Sequence, residues 1–387
     1  MKKAGILALA SVMMLSVILT AGCSKKEKEE ETATSSVVEK IPVEEAAAPI
    51  EEPEEAEEET EEADSGEAKE VPEGMYLSEL TGEPIDEALK DQRPVAVMVD
   101  NESIALPHYG TAEADVVYEM MNSTANDRIT RLMVLVKDWG AIEQLGSIRS
   151  TRPTNVILAA EWNAVLCHDG GPFYINDYLS KANMKEHFSG TFSRVNNGKA
   201  TEFTEYVVKG DLDKNFANSG YSKTYNQYKP EDDSHFNFTP WGKEVTLSDK
   251  YDVLESKAIS LPFKHNGSKL NYNAETGLYE YSEYGKVHQD AEDAEVLAFK
   301  NVILQSVDFM QLDEHGYLIY DICNAAAQGY YITNGEAIPI YWSKTALDSG
   351  DILTRYYDTD NNEIEINTGK TYIGLIPSDS WDSMTLN

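Results

Sequence analysis

A chain of 387 residues with a formal net charge of -36 repels nucleic-acid phosphates and anionic headgroups alike, which argues against DNA, RNA and polybasic membrane binding. Its 41% apolar content is enough to bury the cores of two ordinary domains. Three cysteines, Cys23, Cys167 and Cys323, are too few and too scattered for a disulfide framework or a cysteine-built zinc site.

Residues 1–23 begin with Lys2 and Lys3, continue through an apolar run from Ile6 to Leu19 and end in Thr20-Ala21-Gly22-Cys23. A positive start, a short apolar stretch and small residues before a cut are the layout of a secretory signal, and the run is short for a membrane span. The end, LTAGC, resembles the lipobox of bacterial lipoproteins, with Thr20 standing where that motif usually has its apolar residue. The resemblance implies that the Cys23 thiol carries a diacylglyceryl group and becomes the mature N-terminus. The expected partner of this end is therefore the membrane, through lipid on Cys23, and the expected location is the extracytoplasmic face.

Residues 24–75 hold roughly twenty acidic residues against about five lysines, with almost nothing a core could use. The expected role is a disordered acidic tether; a flexible coil of about 50 residues reaches roughly 40 Å. At Tyr76 the composition turns globular, and residues 76–235 are expected to form a mixed α/β domain. Pro94 to Val99 reads as a strand buried on both faces and closed by Asp100-Asn101. Ala114 to Met121 and Ile129 to Val136 read as the next two strands. A hairpin centred on Ala125 would set Glu119 opposite Arg131 on one face, as an ion pair. Pro153 opens a helix to about Trp162, and Ala164 to Cys167 is the following strand. Short helices are expected around Asp177 to Phe188 and Ala200 to Val208.

From about Phe236 the pattern changes to short β-type runs between turn signals, among them Ala258 to Phe263, Tyr279 to Tyr284, Val302 to Val307, Ile338 to Trp342, Ile364 to Ile366 and Thr371 to Ile376. Thr333-Asn334-Gly335-Glu336 carries the Asn-Gly pair of a two-residue hairpin. Residues 236–387 are accordingly expected to form a mainly antiparallel β domain, making the whole chain α+β.

Candidate chemistry gathers before and after the Pro153 helix. Ser147, Arg149, Ser150 and Arg152 would stand at a helix start, where unpaired N–H groups and two guanidiniums can hold a carboxylate or phosphate; the same arginines could instead pair with Glu119 or Asp115. Glu119, on a strand among apolar neighbours, is the candidate general acid, although a facing Arg131 would make it structural. His168 and Asp169 at a strand's end, with Gly170 and Gly171, are candidate pocket residues. Cys167 and His168 would point to opposite faces of a strand, which disfavours a thiol nucleophile. No metal site is expected. His288-x-Asp290 lacks a third ligand nearby, and Asp358-x-Asp360-x-Asn362 has Gly369 where a calcium loop needs a glutamate. No GxSxG, P-loop or HExxH occurs and no cofactor is expected.

Taken together, LTGEPIDEA, RPVAVMVDN, ADVVYE, RITR, GSIRSTRP, HDGG and, later, GYYITNGEAIPIYWSK and EIEINTGKTYIGLIP resemble the YerB-like bacterial lipoproteins, a two-part domain of unknown function. The resemblance covers most of Tyr76 to Pro377. It implies a mixed α/β first part, a β-rich second part and an outward-facing, membrane-attached protein of Gram-positive-type bacteria, and it implies no catalytic mechanism. The expected function is binding of a cell-wall component such as peptidoglycan, or of a wall-synthesis protein. A peptidoglycan-cleaving enzyme using Glu119 is the first alternative, and a solute-binding lipoprotein the second.

Overall fold

The computed structural model describes residues 68–230, 235–323, 325–345 and 352–387. All lie within one unit, Glu61–Asn387. Cys23, the signal-like segment and nearly all of the acidic tether fall outside the described residues.

The organising layer is an 11-stranded mixed sheet. Its strands are Val95–Asp100 (β1), Val116–Met121 (β2), Thr130–Val136 (β3), Val165–His168 (β4), His187–Ser189 (β5), Leu254–Glu255 (β6), Asn301–Val307 (β7), Ala325–Thr333 (β8), Glu336–Lys344 (β9), Thr354–Tyr357 (β10) and Thr371–Pro377 (β11). The spatial order is β6-β9-β8-β7-β11-β2-β3-β1-β4-β5, with β10 on β9. β11 lies parallel to both β7 and β2, so a strand from near the C-terminus joins the two halves into one sheet across the boundary expected at residue 235.

Apolar runs rather than alternating patterns mark β1, β2, β3 and β11, because both faces of the sheet are covered. On one face Val97, Val117, Val134, Tyr372 and Leu304 meet a second sheet built from Ala258–Ser260, Lys269–Asn273, Leu278–Glu283, Lys286–Val287, Ala298–Phe299 and Thr385–Leu386. On the other, Met98, Tyr118, Met133, Ile373 and Leu375 pack with the helix Pro153–Glu161 (α1), whose Val156, Ile157 and Ala160 share their core. Asn334 and Gly335 have φ of 53° and 81° and join β8 to β9 with Thr333 facing Glu336, as the left-handed geometry of an Asn-Gly hairpin requires.

Four expectations are corrected. The β2–β3 register pairs Glu119 with Leu132 and Met120 with Arg131, since the connection 122–129 centres between Ala125 and Asn126 and not on Ala125. A slip of one residue exchanges the faces, so Glu119 points to the second sheet while Arg131 points to the helical side. The expected helix at Asp177 to Phe188 is one short turn, Asn176–Leu179 (α2), followed by β5; that at Ala200 to Val208 is a single turn and a strand, Glu205–Val208, whose Tyr206 and Val207 suit a sheet. Ile364 to Ile366 contributes only a bridge from Phe238 to Ile366. An unexpected helix, Asp211–Ser219 (α3), buries Leu212 and Phe216.

Candidate functional site

β1 and β4 run parallel, and the segment from Ser147 to Arg152 crosses their carboxyl ends before α1 begins. The crossing is tied by backbone bonds from Asp100 N to Ser147 O (3.0 Å), Arg149 N to Met98 O (2.9 Å) and Asp169 N to Arg149 O (3.0 Å). Crevices at such strand ends, where a loop leads into a helix, are where open α/β sheets present side chains to ligands.

Three arginines converge there. Arg149 sits 2.7 Å from the fully buried Asp100 carboxylate and 3.0 Å from Glu202. Arg131 and Arg152 are each 5% exposed, and neither has a carboxylate within ion-pair distance among the described residues. Instead Arg131 Nη1 donates to Asn122 Oδ1 (3.0 Å), to Ser150 Oγ (2.8 Å) and to the Ser150 carbonyl. Arg152 donates through Nε to Asn122 O (2.9 Å) and through Nη1 to Thr151 O (2.9 Å) and Ser150 Oγ (3.3 Å). Its Cζ lies 4.3 Å from the centre of the Tyr317 ring. The Ser150 hydroxyl thus joins two buried guanidiniums. Burial pushes Arg131 down to about 10 although the Asp100 charge opposes it, and burial followed by the Arg131 charge pushes Arg152 down to about 9. Arg131 Nε is buried without a partner. Ser147, also fully buried, contributes its carbonyl to β1.

His168 and Asp169 lie beside this cluster. His168 Nδ1 donates to Gly170 O (2.7 Å), which leaves Nε2 to accept from His187 Nδ1 (2.9 Å). Burial holds this ring neutral, down to about 4. His168, Gly170, Gly171, His187 and Ser189 line an open cavity of about 430 Å³, and Asn176 forms a wall between it and an apolar groove of about 790 Å³. That groove starts at Pro153, next to Arg152, and is lined by Ile157, Phe173, Phe309 and Met310. Asp169 and Glu205 both accept from Arg194 Nη2, at 3.0 and 2.9 Å. Burial and then Asp169 push Glu205 up to about 7. Asp169 itself is lowered: burial opposes this, but hydrogen bonds with Glu205 and Arg194 outweigh it.

Glu119 is placed elsewhere and differently from the expectation of an ion pair. It is fully buried between the two sheets and meets no cation among the described residues. Its Oε1 accepts from Asn101 Nδ2 (3.3 Å), Thr130 Oγ1 (2.9 Å), Asn266 Nδ2 (2.8 Å) and Ser268 Oγ (2.7 Å), and its Oε2 from the Tyr281 and Tyr372 hydroxyls (3.0 and 2.7 Å). Six neutral donors seal the carboxylate, so it faces no cleft from which to protonate a substrate. The pairing of arginines with Glu119 or Asp115 is likewise replaced: Asp115 accepts from Lys137 N (2.6 Å). Cys167 is buried and its thiol raised by burial, which removes it as a nucleophile.

Asp100 is the site residue the sequence reasoning missed while having its signal, a charged residue closing an otherwise apolar parallel strand. Tyr317, Arg194 and Glu205 had none, since they arrive from distant strands and loops. For metals, His108, Glu283 and His288 form the only group of such ligands close enough to share an ion among the described residues.

Residues 80–222 match the family model described as "Protein of unknown function (DUF3048) N-terminal domain", and residues 259–373 match "Protein of unknown function (DUF3048) C-terminal domain". The chain belongs to this two-part DUF3048 family. A relative within reach of sequence comparison, "Putative lipoprotein YerB" of Bacillus subtilis (strain 168), is 24% identical over 305 residues, covering 77% of this chain and 85% of the relative. The crystal structure of YerB protein from Bacillus subtilis superposes with a TM-score of 0.67 at 20% identity, over 81% of this chain and 99% of that one. At that identity the likeness shows the DUF3048 fold alone. The YerB-like character read from the motifs, and the α+β class, therefore stand.

Proposed function

We propose that this DUF3048 protein is a lipoprotein, anchored through Cys23 on the extracytoplasmic face of the membrane, that binds an anionic cell-wall component at the carboxyl ends of β1 and β4. The supporting observation is the pair Arg131 and Arg152: two buried guanidiniums joined by Ser150, with no carboxylate in direct ion-pair contact among the described residues, in a chain of net charge -36. Leaving a buried charge uncompensated costs several kcal/mol, and a bound carboxylate or phosphate would remove that cost by bidentate hydrogen bonding. The rest of the ligand would lie along the groove lined by Phe173, Phe309 and Met310. The lipoprotein part rests on the signal-like residues 1–23 and on the relative's name. Among the described residues no helix is long and apolar enough to cross a membrane.

The test is co-sedimentation of the purified chain with peptidoglycan sacculi, before and after chemical amidation of the wall's carboxylates. Arg131→Met and Arg152→Met should each reduce the bound fraction at least tenfold, and amidated wall should bind the parent as weakly. Equal sedimentation of parent and folded variants would overturn the proposal.

A further inference from the structure

We propose that His108, His288 and Glu283 form a site for one divalent metal ion of the zinc class, which fastens the loop after β1 to the Leu278–Val287 hairpin of the second sheet. The three residues come from opposite halves of the chain, are at most 5% exposed, and each offers a ligand atom within 4.8 Å of the other two.

Their hydrogen bonds show side chains aimed for a ligand. His108 Nε2 meets the Asp100 carbonyl at 2.5 Å, and a carbonyl can only accept, so the proton is on Nε2 and the Nδ1 lone pair is bare. That Nδ1 is buried and has no partner. Glu283 Oε1 accepts from His288 Nδ1 at 2.9 Å, while Glu283 Oε2 is buried with no partner. Two buried acceptors, neither with a hydrogen-bond partner, thus face one cluster, an arrangement that a cation resolves.

The outer contacts match those of metal-bound imidazoles, whose second ring nitrogen donates to an oxygen that fixes the ring. For His108 that oxygen is the Asp100 carbonyl. For His288 it is Thr111 Oγ1, 2.9 Å from Nε2, which has Asp290 Oδ2 beyond it at 3.4 Å. The ion takes His108 Nδ1, His288 Nδ1 and the Glu283 carboxylate. On binding, the His288 proton passes from Nδ1 to Nε2 and the Thr111 hydroxyl turns to donate to Asp290, so no proton is lost. Two imidazole nitrogens and one carboxylate favour zinc and its neighbours over calcium or magnesium, which prefer all-oxygen sets. Because the Asp100 carboxylate also holds Arg149, the ion would brace the strand end that carries the arginine cluster.

The test uses the full chain, stripped with EDTA, reloaded with zinc chloride and desalted. Expected are one zinc per chain by mass spectrometry of the metal, a higher Tm than the stripped protein, and an X-ray absorption first shell of two imidazole nitrogens with oxygen. His108→Asn and Glu283→Gln should lose the ion and the Tm rise, whereas His315→Asn, at an exposed position, should keep both. No retained zinc in the parent, unchanged stoichiometry in His108→Asn, or a first shell of sulfur or of oxygen alone would each overturn the proposal. The absorption spectrum decides the matter on the parent even where a variant fails to fold.

Discussion

Replacing Glu119 by glutamine tests whether its carboxylate serves the fold or a reaction. The native carboxylate accepts four hydrogen bonds on Oε1 and two on Oε2. A glutamine keeps one accepting oxygen; placing it toward Asn101, Thr130, Asn266 and Ser268 preserves the larger set and turns its NH2 on Tyr281 and Tyr372. Two bonds to a charged acceptor are then lost, at about 1.5–3 kcal/mol each. Both hydroxyls can rotate to accept from the new NH2, which recovers part of this, so the expected destabilisation is about 3 kcal/mol. For a folded unit of roughly 320 residues, with an unfolding entropy of about 2 cal/mol/K per residue, that lowers Tm by roughly 4–5 °C. Urea and thermal denaturation of the parent and Glu119→Gln read the effect directly. Sugar release from peptidoglycan, followed by mass spectrometry on the same samples, should be absent from both. A variant of unchanged stability, set against a parent that releases sugars while the variant does not, would refute the structural role and make Glu119 catalytic.

Three further outcomes follow from buried charges and one close approach. The fully buried Glu161 at the end of α1 is bonded by Lys344, His235 and Thr354, and although burial opposes it, Lys344 and then His235 hold its carboxyl down to about 2. Lys344→Met should cost about 3–5 kcal/mol in urea denaturation at pH 7, and the cost should shrink as pH falls from about 4.5 toward 2, where the carboxylate of the parent is itself protonated. A raised carboxyl acts in the opposite direction: with Glu205 at about 7 when folded, its contribution is fully present below its unfolded value near 4.5 and is lost as pH rises through 7. Glu205→Gln should therefore flatten the fall in the urea midpoint between pH 5 and 7.5, without abolishing it, because burial also raises Asp115 to about 7; an unaltered slope would contradict the assignment. Gly316, at φ 80°, accepts from Thr124 N, and a Cβ there would stand 2.7 Å from both the Ser123 and Thr124 hydroxyls. Gly316→Ala should lower stability by about 1–3 kcal/mol in thermal denaturation, a loss that a freely exposed loop glycine would not show.

How much could be read from the chain depended on whether the signal was local. PVAVMV announced a strand covered on both faces, Pro153 announced the start of α1, and Asn334-Gly335 announced a hairpin, because each is set by φ/ψ preference or by the apolar pattern of a few neighbours. The cluster Ser147 to Arg152 was visible as charge before a helix start, although not that Arg149 would be neutralised by Asp100 while Arg131 and Arg152 would share Ser150. Register was the first thing to escape: shifting the centre of the 122–129 connection by half a residue sent Glu119 and Arg131 to opposite faces of the sheet, and no local preference separates the two alternatives. Long-range pairing was the second. β11 inserts beside β2 and makes one sheet of two halves, and the same docking brings Tyr372 and Tyr281 onto Glu119 and carries Glu283 and His288 to His108. His288 looked alone in the sequence because its companions arrive through packing of one sheet on another, where the free energy is mostly non-directional apolar burial and leaves no motif along the chain.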